Sequence, residues 1–224
     1  MNRIVFDIET LAASFEGFDQ QQQEYLLKYA KTEEEAEEVK NRLGLSPFTA
    51  RIVAIGMLNP DSNQGKVLYE APKEEPTFTS DGLVEFVSCT EEQILAQFWE
   101  TVGHYNQLIT FNGRSFDGPF LMLRSALLGI RPVRNLIPYR YSAREHCDLL
   151  DQLTFYGATR RFSLDFYCKA FGIKSPKEEG VAGPDLAALH ADGRFMEIAE
   201  YCLRDVRATA ELFHRWQTFL SFEQ

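Results

Sequence analysis

The spacing of apolar and polar positions changes character along the chain. The first strand signal is Arg3 to Asp7 or Ile8, built on the apolar run Ile4-Val5-Phe6. Thr49 to Leu58, TARIVAIGML, is a second strand pattern, and Asn59-Pro60-Asp61 after it is turn chemistry. Lys66 to Glu70 reads as a short third strand, Leu108 to Phe111 as a compact fourth, and Cys147 to Leu150 as a further extended piece. Helical spacing dominates elsewhere. Tyr25, Leu26, Tyr29, Ala36, Val39 and Leu43 recur at helical intervals within Ser14 to Ser46, which predicts one or two helices inserted after the first strand. Thr90-Glu-Glu-Gln93 is close to a capping box and predicts a helix to about His104. Pro119 fits the first turn of a helix that stops at Gly129. FSLDFYCKAFGI, closed by Gly172, is helical; SPKEEGVAGP is a loop. Helical structure then resumes near Asp185 and includes a long helix from Phe195 to Leu220. Clustered strands followed by strands alternating with helices predict an α/β fold, a mixed sheet flanked by helices.

Length and composition narrow the class. The 224 residues suit one domain, 1–224, with an insertion at about 14–46. A hydrophobic fraction of 45% and a charged fraction of 25% are ordinary for a soluble globular protein. No run approaches the roughly 20 apolar residues that span a bilayer, and no signal peptide is expected, so the expected location is cytoplasmic, with no membrane partner. The four cysteines, Cys89, Cys147, Cys168 and Cys202, form no CxxC pair and read as reduced, buried thiols. The net charge of -10 argues against a general nucleic-acid coat protein. The average conceals an asymmetry, however. Ser14 to Ser46 holds eight acids and four bases, whereas Arg114 to Lys174 holds ten bases and five acids. The basic segment is either a solvated surface or a phosphate-facing wall.

Three acidic sites interrupt apolar patterns. Asp7 and Glu9 lie two apart in the first strand, so their side chains share a face. No lysine or arginine lies between Ile4 and Ala13 to pair them. Either the strand has ended and both acids are solvated or cap a following helix, or a divalent cation relieves their repulsion, since hard cations prefer carboxylate oxygens. Asp117, in TFNGRSFDGPF, follows an apolar strand and precedes a helix; a helix N-cap and a functional acid both fit. Tyr201 and Asp205 are four apart on the long helix, beside a core stripe of Ile198, Cys202, Val206, Thr209, Phe213 and Trp216. There Asp205 is either a site residue or a partner of Arg204 or Arg207.

Taken together, FDIET, Asn112…Phe116-Asp117 and Tyr201…Asp205 resemble the three exonuclease motifs of the DEDD 3′–5′ exonucleases. The tyrosine of the third motif points to the DEDDy branch. The order and spacing match from about Ile4 to Leu212, and the similarity is greatest to stand-alone relatives of the family B DNA polymerase proofreading domain. Ser115 departs from the pattern, standing where many of those domains carry a second Asn before the Phe-Asp pair.

The resemblance implies a ribonuclease H-like fold with a mixed five-stranded sheet. It also implies two divalent cations, Mg²⁺ or Mn²⁺, held by Asp7, Glu9, Asp117 and Asp205, with Tyr201 orienting the attacking water. Thr10 and Leu11 would meet the 3′-terminal nucleotide, and Asn112 and Phe116 would line the path of a single-stranded nucleic acid, with DNA favoured over RNA. Arg131, Arg134, Arg140, Arg144, Arg160 and Arg161 would touch backbone phosphates. The acidic insertion 14–46 offers a surface for a protein partner. A catalytically weak nucleic-acid-binding or scaffold module is the alternative. An aspartate-nucleophile phosphatase does not fit, because D-x-D-x-T places its threonine one position later than Thr10.

Overall fold

A computed structural model describes residues 2–175, 177 and 186–222. The expected loop SPKEEGVAGP and the expected helix start at Asp185 fall largely outside the described residues. The first strand, β1 (Arg3–Ala12), pairs antiparallel with β2 (Ala50–Leu58), which pairs antiparallel with β3 (Gly65–Glu70). On its other side β1 runs parallel to β6 (Gln107–Thr110), and β6 parallel to β7 (His146–Asp148). Beyond β3 lie β5 (Val84–Cys89), parallel to it, and the edge strand β4 (Thr77–Phe78). The order across the sheet is β4-β5-β3-β2-β1-β6-β7.

The sheet therefore has seven strands where five were expected. β4 is only two residues long and exposed, and β5 begins next to Gly82 and Leu83 in a stretch of loop chemistry. Neither shows a long alternating pattern. The extended piece expected at Cys147 to Leu150 also divides: β7 ends at Asp148, which caps helix α5 (Leu149–Leu153). The Asp148 carboxylate accepts the N–H groups of Leu150 and Asp151, so the chain turns into a helix there.

Two helices, α1 (Gln20–Leu27) and α2 (Glu33–Asn41), occupy the stretch between β1 and β2. The helix α3 (Glu91–Val102) starts with a full capping box between Thr90 and Gln93, as its sequence predicts. α4 (Asp117–Leu127), α6 (Leu164–Ala170), α7 (Leu186–Ala191) and the long α8 (Phe195–Phe219) follow.

Strand alternation sorts the core into two clusters, one per sheet face. Ile4, Phe6 and Ile8 pack with Ile94, Phe98, Phe120 and Leu121 of α3 and α4. Val5 and Leu11 pack on the other side with Cys202, Val206 and Phe213 of α8. Asp7 and Glu9 share the parity of Val5, so the backbone turns both toward α8. The pairing of β1 with β2 shifts register between Glu9 and Thr10, where β2 carries one extra residue, Val53.

Candidate active site

The site is built where three elements, β1, α4 and α8, meet. β1 contributes Asp7, half-buried, and Glu9, 8% exposed. α4 contributes Asp117, 3% exposed, and α8 contributes Asp205 and Tyr201, both half-buried. Asp117 lies inside the first turn of α4, and Phe116 occupies the cap position without a side-chain cap bond. The capping alternative therefore gives way to a long-range one: the main-chain N–H of Ile8 donates to Asp117 Oδ1 at 3.2 Å. This fastens the carboxylate to β1 between Asp7 and Glu9.

Among the described residues, neither Arg204 nor Arg207 forms an ion pair with Asp205; Arg207 reaches Asp81 at 3.6 Å. Arg204 packs its guanidinium over the Tyr201 ring, 5.6 Å from the centroid, and its buried Nε has no hydrogen-bond partner among the described residues.

The electrostatics record how closely the acids crowd. Burial, then the charges of Asp117, Asp205 and Glu9, push the Asp7 carboxyl well above the usual range. Burial, then Asp205 and Asp117, do the same to Glu9, with Arg204 opposing. Burial raises Asp117 to about 7, against the N–H groups of Asp117 and Ile8, while Asp148 and Asp205 push it further up. Burial raises Asp205 to about 6, countered by the Tyr201 hydroxyl, Lys177 and Arg204. The Tyr201 phenol is itself pushed up, by burial and then by Asp205, Glu9 and Asp7, so it keeps its proton at neutral pH.

Asp7, Glu9 and Cys202 offer ligand atoms all within 4.8 Å of one another. The thiol is a poor member of that set. Burial, followed by the charges of Glu9, Asp7 and Asp205, drives its pKa well above the ordinary value, and its Sγ donates to the Asp7 carbonyl at 3.5 Å. Cys202 is thus a protonated packing group, which leaves the carboxylates as the oxygen donors of the cluster.

The structure also shows what holds the acids in place. Asp148, which the motifs do not single out, accepts the N–H groups of Asn112 and Arg114, each at 2.9 Å. Asn112 is in the left-handed region (φ 65), and a Cβ on Gly113 would meet Thr110 at 2.5 Å. Asp148 thereby shapes the turn that delivers Asp117. Gly56 pairs with Asp7 across the sheet, and a Cβ there would lie 2.7 Å from Val206 Cγ2 and 3.2 Å from Cys202 Sγ. Its missing side chain lets α8 approach β1 and β2. The turn dipeptide Asn112-Gly113 hinted at the first device; nothing local marked Gly56.

The remaining predicted residues are placed as follows. The Thr10 hydroxyl donates to the Gly44 carbonyl at 2.7 Å, and Leu11 is buried. The Phe116 ring, half-buried, packs against Phe120 at 5.6 Å. Ser115 is exposed. Of the arginines, Arg134 donates to the Tyr105 carbonyl at 2.6 Å and Arg140 grips Asp151 through two bonds. Those two charges serve internal contacts; Arg131, Arg144, Arg160 and Arg161 are exposed. His146 is a core residue: Nδ1 donates to Leu136 O and Nε2 accepts from Thr110 Oγ1, each at 2.8 Å. Burial, then Arg114, lowers its pKa to about 3. All four cysteines are buried, and none forms a disulfide. No helix among the described residues is long and apolar enough to cross a membrane.

A family model described as a predicted 3′–5′ exonuclease related to the exonuclease domain of PolB matches residues 47–221. No curated protein matches the chain. Among solved structures, the family B DNA polymerase from the hyperthermophilic archaeon Pyrobaculum calidifontis is similar, with a TM-score of 0.62 at 19% identity over 98% of this chain. The chain spans 25% of the length of that polymerase chain. The likeness shows the fold: the mixed sheet and its flanking helices are ribonuclease H-like, as expected from the motifs.

Proposed function

Because the chain belongs to the family of predicted 3′–5′ exonucleases related to the exonuclease domain of PolB, we propose that it is a metal-dependent enzyme of the DEDDy type. It removes nucleotides from the 3′ end of a single-stranded nucleic acid, DNA ahead of RNA, and releases nucleoside 5′-monophosphates. One observation carries the reading: β1, α4 and α8 bring four carboxylates together, burial raises the pKa of all four, and neighbouring acids raise those of Asp7, Glu9 and Asp117 further.

Such a cluster is unfavourable as four bare anions, and an all-oxygen donor set suits Mg²⁺ or Mn²⁺. Asp7, Glu9, Asp117 and Asp205 would hold two of these cations. When bound, they supply Lewis-acid stabilisation of charge on the attacking and leaving oxygens. The protein's own groups do the rest. Tyr201, protonated and one turn from Asp205, hydrogen-bonds and orients the attacking water rather than taking its proton. The Ile8 N–H holds Asp117 in register with Asp7 and Glu9. Thr10 and Leu11 border the terminal nucleotide, and Asn112 and Phe116 line the approach of the strand. The four buried thiols suit a reducing, cytoplasmic setting.

The test is shortening of a 5′-labelled single strand, as DNA and as RNA, in Mg²⁺ or Mn²⁺, by the wild type and by Asp7→Ala. A ladder receding from the 3′ end in the wild type alone is expected. Equal activity in the variant, or no shortening in either metal, sinks the catalytic reading. Strand binding without shortening would favour a scaffold.

A further inference from the structure

Next to Arg114, in the turn before α4, the surface displays exposed aromatic rings. Tyr139 is 73% exposed and Tyr141 61% exposed, yet their rings touch, with centroids 5.8 Å apart. Tyr141 in turn contacts Tyr156 at 4.9 Å. Two exposed tyrosines continued by a half-buried third form an aromatic row that is unusual for a surface that serves only solvation.

The row is firmly mounted. Arg114 Nη1 donates to the Pro138 carbonyl at 2.8 Å, and its Nη2 approaches the carbonyls of Tyr139 and Ser142 at 3.4 Å each. Arg140, between the two exposed tyrosines, is clamped by Asp151. The Tyr156 N–H donates to the Asp151 carbonyl at 2.7 Å, and its hydroxyl accepts from Gln152 at 2.9 Å. Tyr156 sits at φ 58, directly after Phe155 at φ 50, a pair of left-handed conformations that aromatic residues rarely adopt. The same framework reaches the acid site: Arg114 is three residues before Asp117, and Asp151 is three after Asp148.

We propose that Tyr139, Tyr141 and Tyr156 form a stacking platform for the bases of a single strand whose 3′ end lies at the four acids, an inference that rests on the exonuclease reading above. Charge selects this occupant. The platform lies within the segment Arg114 to Lys174, which carries ten bases and five acids in a chain of net charge -10. Asp151 and Asp165 pair with Arg140 and Lys169, one acid to one base, so these pairs leave the segment's excess of bases unchanged. Arg144, Arg160 and Arg161, three to five residues from Tyr141 or Tyr156 in the sequence, are exposed and offer phosphate contacts. Stacking on aromatic rings accepts any base, as processing of arbitrary sequence requires.

The experiment measures binding of 5′-fluorescein oligothymidylates by fluorescence anisotropy in EDTA, where binding is read apart from cleavage. It compares wild type, the double variant Tyr139→Ala/Tyr141→Ala and the double variant Tyr139→Phe/Tyr141→Phe. The alanine pair is expected to weaken a dodecanucleotide about tenfold or more, to leave a trinucleotide unchanged, and to retain the wild-type melting temperature. The phenylalanine pair keeps the rings and is expected to bind as wild type does. In the cleavage assay the loss falls on KM for the longer strand, with kcat retained. Unchanged dodecanucleotide binding by a folded alanine variant overturns the platform, as does wild-type self-association that the alanine variant abolishes. The exonuclease reading fails separately, on the Asp7→Ala comparison.

Discussion

Ile8 and Asp117 are 109 residues apart in the chain and joined by a hydrogen bond of 3.2 Å, from the N–H of one to Oδ1 of the other. The pairing of β6 with β1 ends at Val5. Beyond that point the edge N–H of Ile8 needs another acceptor, and the first turn of α4 provides a carboxylate. The bond completes a sheet edge and places a third acid beside Asp7 and Glu9 in one stroke.

Asp117→Asn separates these two roles. The amide oxygen can still accept from Ile8, while the charge is lost. Nuclease activity is expected to fall about 10³-fold, several kcal/mol of transition-state stabilisation. Stability should move the other way. Burial raises the Asp117 pKa from an ordinary 3.8 to about 7, so the folded state keeps a proton that the unfolded chain releases. That contribution is present at low pH and is lost as pH climbs from about 4 through about 7. Melting curves in EDTA should therefore show the wild type losing stability relative to the variant across this window. Added Mn²⁺, which needs the deprotonated acid, should reverse the order. Parallel pH profiles for the two proteins would contradict the assignment.

Asp148→Ala removes an acceptor from four main-chain N–H groups, those of Asn112, Arg114, Leu150 and Asp151. Buried donors left without partners predict a destabilisation of about 2–4 kcal/mol in urea unfolding. Below the melting temperature, kcat should also drop, because the turn before Asp117 is no longer held. Asp148→Asn keeps one oxygen and should recover part of both.

Gly56→Ala tests the close approach of α8 to the sheet. The added methyl meets Val206 Cγ2 at 2.7 Å, a distance real contacts do not tolerate. Overpacking of this kind costs about 1–3 kcal/mol. It should also lower activity, since α8 carries Tyr201 and Asp205. Combining it with Val206→Ala makes room, so the double variant should be less destabilised than the sum of the two.

Tyr201→Phe leaves the four carboxylates in place. The rise in melting temperature on adding Mn²⁺ should survive, while kcat falls about 10²-fold for want of the water-orienting hydroxyl. A lost metal response would instead make the tyrosine part of the cation site.

The sequence alone determined the features that depend on short-range period. Parity along β1 puts Asp7 and Glu9 on one face, the stripe from Ile198 to Trp216 sets the buried side of α8, and Thr90 with Gln93 starts α3. The three motifs, each ambiguous by itself, named the acids that the fold then gathers. Tertiary structure decided the rest. It made Asp117 the acceptor for Ile8 rather than a cap, set Asp148 behind the 112–114 turn, and required the absence of a side chain at Gly56. It turned Arg134 and Arg140 to internal partners while leaving Tyr139 and Tyr141 in water. The division has a physical cause. Periodicity reports which face of an element is buried, whereas the partner of a carboxylate or a guanidinium depends on which distant backbone groups packing leaves unpaired.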